Sequence, residues 1–267
     1  MNAATRDEAS PLQGQHAVVT GGGRGIGKAI AFELARLGAD LTLMGRDTAA
    51  LQACAKELTE THGVRVAGEA LDLGSPDSIV RAFAGSTNQL GPVAILVNNA
   101  GIAHAAPFGR TSLAKWNEVL SVDLTAPFLC IQQVLAPMVE AGRGRIVNIA
   151  STSGMTGCAY VTAYCAAKHG LVGLTRSLAI EVARSGVTVN AVCPGFTDTD
   201  IVTRSVENIV AKTGRTPEQA LAELVAHNPQ RRLIQPDEVA SAVGWLCLPP
   251  ARSVTGQSLL IAGGELM

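Results

Sequence analysis

Tyr164 and Lys168 stand four residues apart in a stretch of helical period, Tyr160 to Val182, so a phenol and an ammonium share one helix face. An ammonium beside a phenol favours the phenolate and draws a group that ordinarily titrates near about 10 toward the range useful for proton transfer. Ser151 lies thirteen residues before Tyr164, just past the β-type run Arg145 to Ala150. A hydroxyl delivered by a strand's carboxyl end can hold a carbonyl oxygen while the phenol gives or takes its proton. Proton transfer at a carbonyl oxygen suits this trio. No metal is implied, because the six cysteines (Cys54, Cys130, Cys158, Cys165, Cys193, Cys247) show neither a CxxC pair nor zinc spacing and read as reduced, packed thiols.

A second constellation concerns a phosphate. Thr20-Gly21-Gly22-Gly23-Arg24-Gly25-Ile26-Gly27 falls between a predicted strand and a predicted helix. Glycines there let the backbone approach a pyrophosphate, and the free N–H groups of the helix N-terminus favour the anion. The next strand ends Met44-Gly45-Arg46 without the acid that would bind the ribose 2′-OH of NAD, although Asp47 follows one residue later. Arg46, with Arg24 in reach, suits a 2′-phosphate through bidentate contacts, so NADP(H) is preferred and NAD(H) is the alternative. Asn98-Asn99-Ala100-Gly101 and Pro194-Gly195 end two further strands and converge on the same crevice.

The elements that must position these groups alternate. β-rich runs occur at His16 to Thr20, Asp40 to Gly45, Arg65 to Asp72, Ala94 to Asn98, Arg145 to Ala150, Val187 to Val192 and Ser258 to Ile261, separated by helical stretches such as Ile26 to Leu37 and Thr48 to Thr61. Strands apolar on both faces and joined through helices predict an α/β fold, a single-domain, Rossmann-type, doubly wound parallel sheet of about seven strands. Residues 1–13 read as a loose polar tail and 14–267 as the one dinucleotide-binding and catalytic domain. Within it, 196–235 interrupts the rhythm with two helical pieces. The second piece starts on Thr216 as N-cap, Pro217 at N1 and Gln219 at N3, with Ala220, Leu221, Leu224 and Val225 expected on one face. Placed after a strand's carboxyl end, this insertion reads as a substrate lid.

Composition narrows the partners. With 21 Lys+Arg against 22 Asp+Glu and no basic cluster, the chain lacks the electrostatic drive for nucleic acid. No apolar run approaches the roughly 18 residues that cross a bilayer, and the N-terminal stretch has no apolar core, which reads as no membrane association and a cytoplasmic location.

With these motifs in hand, the chain resembles the short-chain dehydrogenase/reductases in their single-domain form: TGGGRGIG at 20–27, Asp72, NNAG at 98–101, Ser151, YCAAK at 164–168 and PGFTDT at 194–199, in order and across almost everything from Gly14 to Gly264. The resemblance implies Tyr164 as general acid/base, Ser151 as the group polarising the carbonyl, and Lys168 as holder of the nicotinamide ribose. It implies cofactor contacts from Gly21, Arg24, Gly25, Ile26, Gly27, Arg46, Asp72 at the adenine, Asn98, Gly101, Tyr164, Lys168, Pro194, Gly195, Phe196, Thr197 and Thr199. One position departs from the pattern: the asparagine that the family uses to anchor a proton-relay water is Asp123 here, a carboxylate placed near Lys168 that either faces the ammonium or turns away and leaves the relay to its backbone carbonyl.

The segments IVNIAST, AAKHG and VTVNAVCPGF are similar to those of 3-oxoacyl-thioester and aromatic polyketide ketoreductases, which implies a small-molecule ketone or alcohol substrate, free or thioester-linked, with a pocket wall of His104, Thr152, Ser153, Cys158, Tyr160, Val161, Ile201 and Val202. The 3-hydroxybutyrate dehydrogenases clamp a free carboxylate with a lysine at the position of Val161 and a glutamine at that of Ala103, so a short free acid lacks its partners here. The resemblance further implies a homotetramer, or a homodimer. An NAD(H)-dependent alcohol or hydroxyacyl dehydrogenase, and a protein that binds NADP(H) without turnover, are the alternatives.

Overall fold

Period-two alternation in the strands sends neighbouring side chains to opposite faces of a sheet and so decides the layers. In the computed structural model, which describes residues 10–266, seven parallel strands form one sheet among the described residues. They are β1 (His16–Thr20), β2 (Asp40–Gly45), β3 (Val66–Ala70), β4 (Val93–Asn98), β5 (Gly144–Ile149), β6 (Val187–Pro194) and β7 (Ser258–Ile261), in the order β3-β2-β1-β4-β5-β6-β7. Ala17, Val19, Leu41, Leu43, Ile95 and Val97 pack toward α1 (Gly25–Arg36), α2 (Thr48–His62) and α9 (Pro236–Cys247). Val18, Met44, Leu96 and Ile146 pack on the other face toward α3 (Pro76–Leu90), α5 (Ala126–Glu140) and α6 (Thr162–Glu181). The chain order reverses between β1 and β4, which opens a crevice at their carboxyl ends.

Four sequence expectations need correction. Residues 1–9 of the expected tail lie outside the described residues, but residues 10–13 are not loose: the Leu12 side chain is fully buried and its N–H donates to Leu37 O at 2.9 Å. An apolar side chain with core volume to fill outweighs its polar neighbours in sequence. β3 is shorter than expected, because Arg65 turns its guanidinium to Asp40 and Asp72 accepts the Gly74 N–H in a turn. α6 begins at Thr162, since Tyr160 adopts φ +67 and cannot belong to a right-handed helix. The run Leu113–Glu140 forms α4 (Leu113–Leu120), a π-helical turn (Ser121–Thr125) and α5, and is long and apolar enough to cross a bilayer by length and composition, contrary to the reading above. Its apolar residues Cys130, Ile131, Val134 and Met138 are spent on the core beneath the sheet.

Beyond β6 lie α7 (Asp200–Thr213) and α8 (Pro217–Leu224). The Thr216–Gln219 capping box forms as the sequence predicts, and Ala220 and Val225 are buried while Leu221 faces solvent. The two ends of this excursion are fastened together by a parallel bridge, Ile234 N–H to Phe196 O and Asp198 N–H to Ile234 O, both 2.9 Å. Sequence periodicity gave no sign of so short a pairing.

Candidate active site

β5 ends at Ile149, and the chain then turns through Ser151 into a short 3₁₀ turn, Thr152–Gly154. The Ser151 Oγ accepts the Ser153 N–H at 3.1 Å and is hydrogen-bonded to the Tyr164 phenol. One turn further along α6, Lys168 Nζ stands 5.5 Å from the Tyr164 ring centroid and donates to Ile149 O at 3.0 Å. The strand end thus fixes both the hydroxyl and the ammonium around the phenol. Asp123, delivered by the π-helical turn, approaches from the other side. Its Oδ2 lies 3.4 Å from Lys168 Nζ, and its Oδ1 accepts the Ile102 N–H at 2.8 Å. A Cβ at Gly101 would come within 2.9 Å of Asp123 Oδ2, so this carboxylate also closes the floor beneath the NNAG segment.

Asp123 and Lys168 are sealed from water, while Tyr164 is half-buried. Burial pushes the Asp123 carboxyl above its ordinary range, against the pull of the Lys168 ammonium. Burial acts against the charge on Lys168, yet Asp123 and Tyr164 outweigh it, and the ammonium is held above its ordinary value. For Tyr164 burial is the largest influence and raises the phenol; Lys168 and the Ser151 hydrogen bond lower it, and Asp123 raises it again. The net displacement is upward. The phenolate-favouring effect expected from the Tyr–Lys spacing is present, but desolvation and the added carboxylate exceed it.

At the crevice between β1 and β4 the glycine turn leads into α1. Arg24 at its N-cap makes no side-chain capping bond and the first turn carries no acid, so the leading N–H groups of α1 are left for an anion. Gly27 is required by close approach: a Cβ there would lie 2.2 Å from Gly21 O and 2.5 Å from Asn99 Nδ2. Gly21 itself adopts φ +67. Ile26 is half-buried behind the turn, and Gly25 faces Thr199, whose Cγ2 would be 3.3 Å from a Cβ at position 25. Arg24 and Arg46 are both exposed. Asp47, the acid that could have served a ribose diol, caps α2 by accepting the Ala50 N–H at 3.1 Å. Asp72 is exposed beyond β3. Free helix N–H groups, two guanidiniums and an acid engaged in capping fit a dinucleotide with a 2′-phosphate.

Around the carboxyl end of β6, Pro194 is buried, the Thr197 hydroxyl donates to Gly195 O at 3.0 Å, and the Thr199 hydroxyl donates to Thr197 O at 3.2 Å. Phe196 exposes its ring. The Asn98 side chain turns away from the crevice into the core. It is buried, and its Nδ2 donates to Asn148 Oδ1 at 2.9 Å, from which Asn148 Nδ2 reaches Thr175 Oγ1 at 2.9 Å. An amide at the last position of β4 points into the sheet's interior, where a polar group must find a partner. Its neighbour Asn99 does the work at the glycine turn: Asn99 Nδ2 donates to Thr20 O at 2.9 Å, while the Asn99 and Ala100 N–H groups both reach Thr20 Oγ1. Thr20, Asn99 and Asn148 were visible in the sequence only as members of motifs.

On the substrate side, Ser153 and Val161 are half-buried beside Ser151 and at the start of α6, and His104 is half-buried in the loop after β4. Thr152 and Val202 are buried; the side chain of Ile201 lies outside the described residues. Tyr160 is two-thirds exposed, and its carbonyl accepts the Ala106 N–H at 2.8 Å, pinning the loop before α6 to the loop after β4. Cys158 is exposed in that loop and is not a packed thiol, whereas the other five cysteines are buried. A residue that sequence reasoning missed altogether is Glu265, past the last strand, which lies near Thr152 and against Gly195.

A doubly wound parallel sheet with a glycine turn at its switch point defines a dinucleotide-binding α/β enzyme scaffold. The short chain dehydrogenase family model matches residues 15–210, and the chain belongs to that family of oxidoreductases. It is 41% identical to the 3-oxoacyl-(acyl-carrier-protein) reductase FabG of Aquifex aeolicus over 253 residues, 95% of this chain and 98% of that one. It is 37% identical to the D-beta-hydroxybutyrate dehydrogenase of Cupriavidus necator over 255 residues, 95% of this chain and 98% of that one. An actinorhodin polyketide ketoreductase variant solved with NADPH superimposes with a TM-score of 0.90 at 39% identity, covering 94% of this chain and 97% of that one.

Proposed function

We propose that this protein is an NADP(H)-dependent reductase of ketones, acting on a 3-oxoacyl thioester or polyketide-like ketone. The observation that carries the reading is the Tyr164 phenol held between the Ser151 hydroxyl and the Lys168 ammonium at the mouth of the β1–β4 crevice. NADPH, when bound, supplies the hydride that adds to the carbonyl carbon. Ser151 orients and polarises the carbonyl oxygen, and Tyr164 gives that oxygen its proton. Lys168 stabilises the phenolate left behind and is itself neutralised by Asp123. Gly21 to Gly27 and the α1 N-terminus receive the pyrophosphate, Arg24 and Arg46 the 2′-phosphate, Asp72 the adenine, and Gly101, Pro194, Gly195, Phe196, Thr197 and Thr199 the nicotinamide end. The backbone of Asn98 adds to that wall. His104, Ser153, Cys158, Tyr160 and Val161 border the substrate, under a lid of residues 196–235.

A cytoplasmic homotetramer, or homodimer, is the assembly that fits this reading. An apolar groove along α5, lined by Leu135, Ala136 and Val139, offers a surface for a second copy. The test is a screen of NADPH and NADH oxidation against acyl thioesters, bicyclic ketones and aryl ketones. The reading expects NADPH-dependent reduction of at least one class; binding of NADPH with no turnover on any of them would favour a non-catalytic role.

A further inference from the structure

We propose that Glu265 is a specificity-determining residue, a fixed negative charge in the substrate cleft that excludes anionic ketones and leaves neutral ones. The inference rests on the ketone-reductase reading and narrows its substrate class to esters, thioesters and uncharged cyclic ketones.

Three separate segments converge on this carboxylate. A Cβ at Gly195 would lie 2.9 Å from Glu265 Oε2, so the side chain is pressed against the turn after β6. It lies near Thr152, the residue directly after Ser151, which is 7% exposed. It also faces His227 at the end of the lid and Cys158 in the loop before α6. The backbone that carries it is seated just as closely. Cβ atoms at Gly263 and Gly264 would meet Asn228 at 2.3 Å and Pro229 at 3.3 Å, so the chain after β7 runs beneath the lid and turns its last acid inward. Glu265 is half-buried, with neither a lysine nor an arginine in ion-pair distance among the described residues.

Apart from His227, no basic side chain is seen to face this carboxylate among the described residues. What the charge does is set the potential of the cleft. A substrate carboxylate entering beside Ser151 would meet a like charge across a poorly solvated gap, which is how a site rejects a competitor through repulsion instead of fit. Position 161, at the start of α6, is a valine and supplies no cation to offset it. A neutral ester or thioester of the same chain length meets no such barrier.

The test compares 3-oxobutanoate with its ethyl ester as paired substrates for the wild type, Glu265→Gln and Glu265→Ala, with NADPH saturating. The expected result is a rise of about ten-fold or more in kcat/KM for the acid in both variants, carried by KM, with the ester within about three-fold of wild type. A shared rise in Gln and Ala assigns it to charge, because Gln keeps the size and polarity of the side chain and Ala removes both. An unchanged ester-to-acid ratio, or a ratio that changes only because the ester becomes slower, would overturn the proposal and leave the reductase reading standing. Failure of the wild type to reduce the ester or any neutral ketone would overturn the reductase reading itself.

Discussion

Asp123 Oδ2 lies 3.4 Å from Lys168 Nζ, with the carboxylate fully sealed from solvent and the ammonium nearly so. The carboxylate therefore faces the lysine and does not turn away, and its Oδ2 accepts no hydrogen bond among the described residues. Since Asp123 raises the pKa of Tyr164 while Lys168 lowers it, the pair sets the phenol's affinity for its proton. Alcohol oxidation needs the deprotonated phenol, so its rate climbs with pH through that pKa. Asp123→Asn removes an influence that raises it, and the rising limb of kcat/KM for oxidation is expected at lower pH than in the wild type. Superimposed profiles would show that the carboxylate carries no electrostatic weight at the phenol.

The same pair predicts an asymmetry in stability. Asp123→Ala leaves a buried ammonium with Ile149 O as its remaining partner, and removing one half of a buried pair costs about 3–5 kcal/mol. Asp123→Asn keeps one acceptor oxygen, enough for either the Ile102 N–H or the Lys168 ammonium, and is expected to cost less than Asp123→Ala. Denaturant midpoints of the two variants, measured at constant m, check the difference.

Arg46 is exposed at the tip of β2, and the neighbouring acid Asp47 is engaged in capping α2. Arg46→Asp removes the cation from a 2′-phosphate and supplies a carboxylate to a 2′-OH. The ratio of kcat/KM for NADPH over NADH is expected to fall by about ten-fold or more, the equivalent of one charge-assisted contact. An unchanged ratio would make Arg46 a solvated surface arginine.

Gly27→Ala would place a methyl carbon 2.2 Å from Gly21 O, a backbone atom in a turn that Asn99 and Thr20 hold in place. No side-chain rotation relieves that contact. The expected outcome is a loss of NADPH affinity of about 100-fold or more, with destabilisation of roughly 2–3 kcal/mol, read by fluorescence titration and thermal melting.

Much of this site was legible in the sequence because local chemistry wrote it there. The β1, β2 and β7 ranges, the Tyr164–Lys168 face and the Thr216 capping box each follow from spacing within a few residues. The features that escaped depend on contacts remote in the chain. Leu12 looked solvated until the core offered it a place, and the Asn98 amide points inward while that of Asn99 holds the glycine turn because strand pleat, invisible within a loop motif, decides which side chain faces the core. Glu265 gave no signal, since its importance comes from residues 152, 195 and 227 meeting it in space.

The central claim is that the Tyr164 phenol transfers the proton while NADPH is held elsewhere. Tyr164→Phe keeps the ring over Lys168 and removes only the hydroxyl that meets Ser151. Steady-state ketone reduction and NADPH binding, measured on the same preparation of this variant, test the claim together. The account predicts that kcat falls by about 100-fold or more while the Kd for NADPH stays within about three-fold of wild type. Retention of more than about a tenth of the wild-type kcat would contradict it.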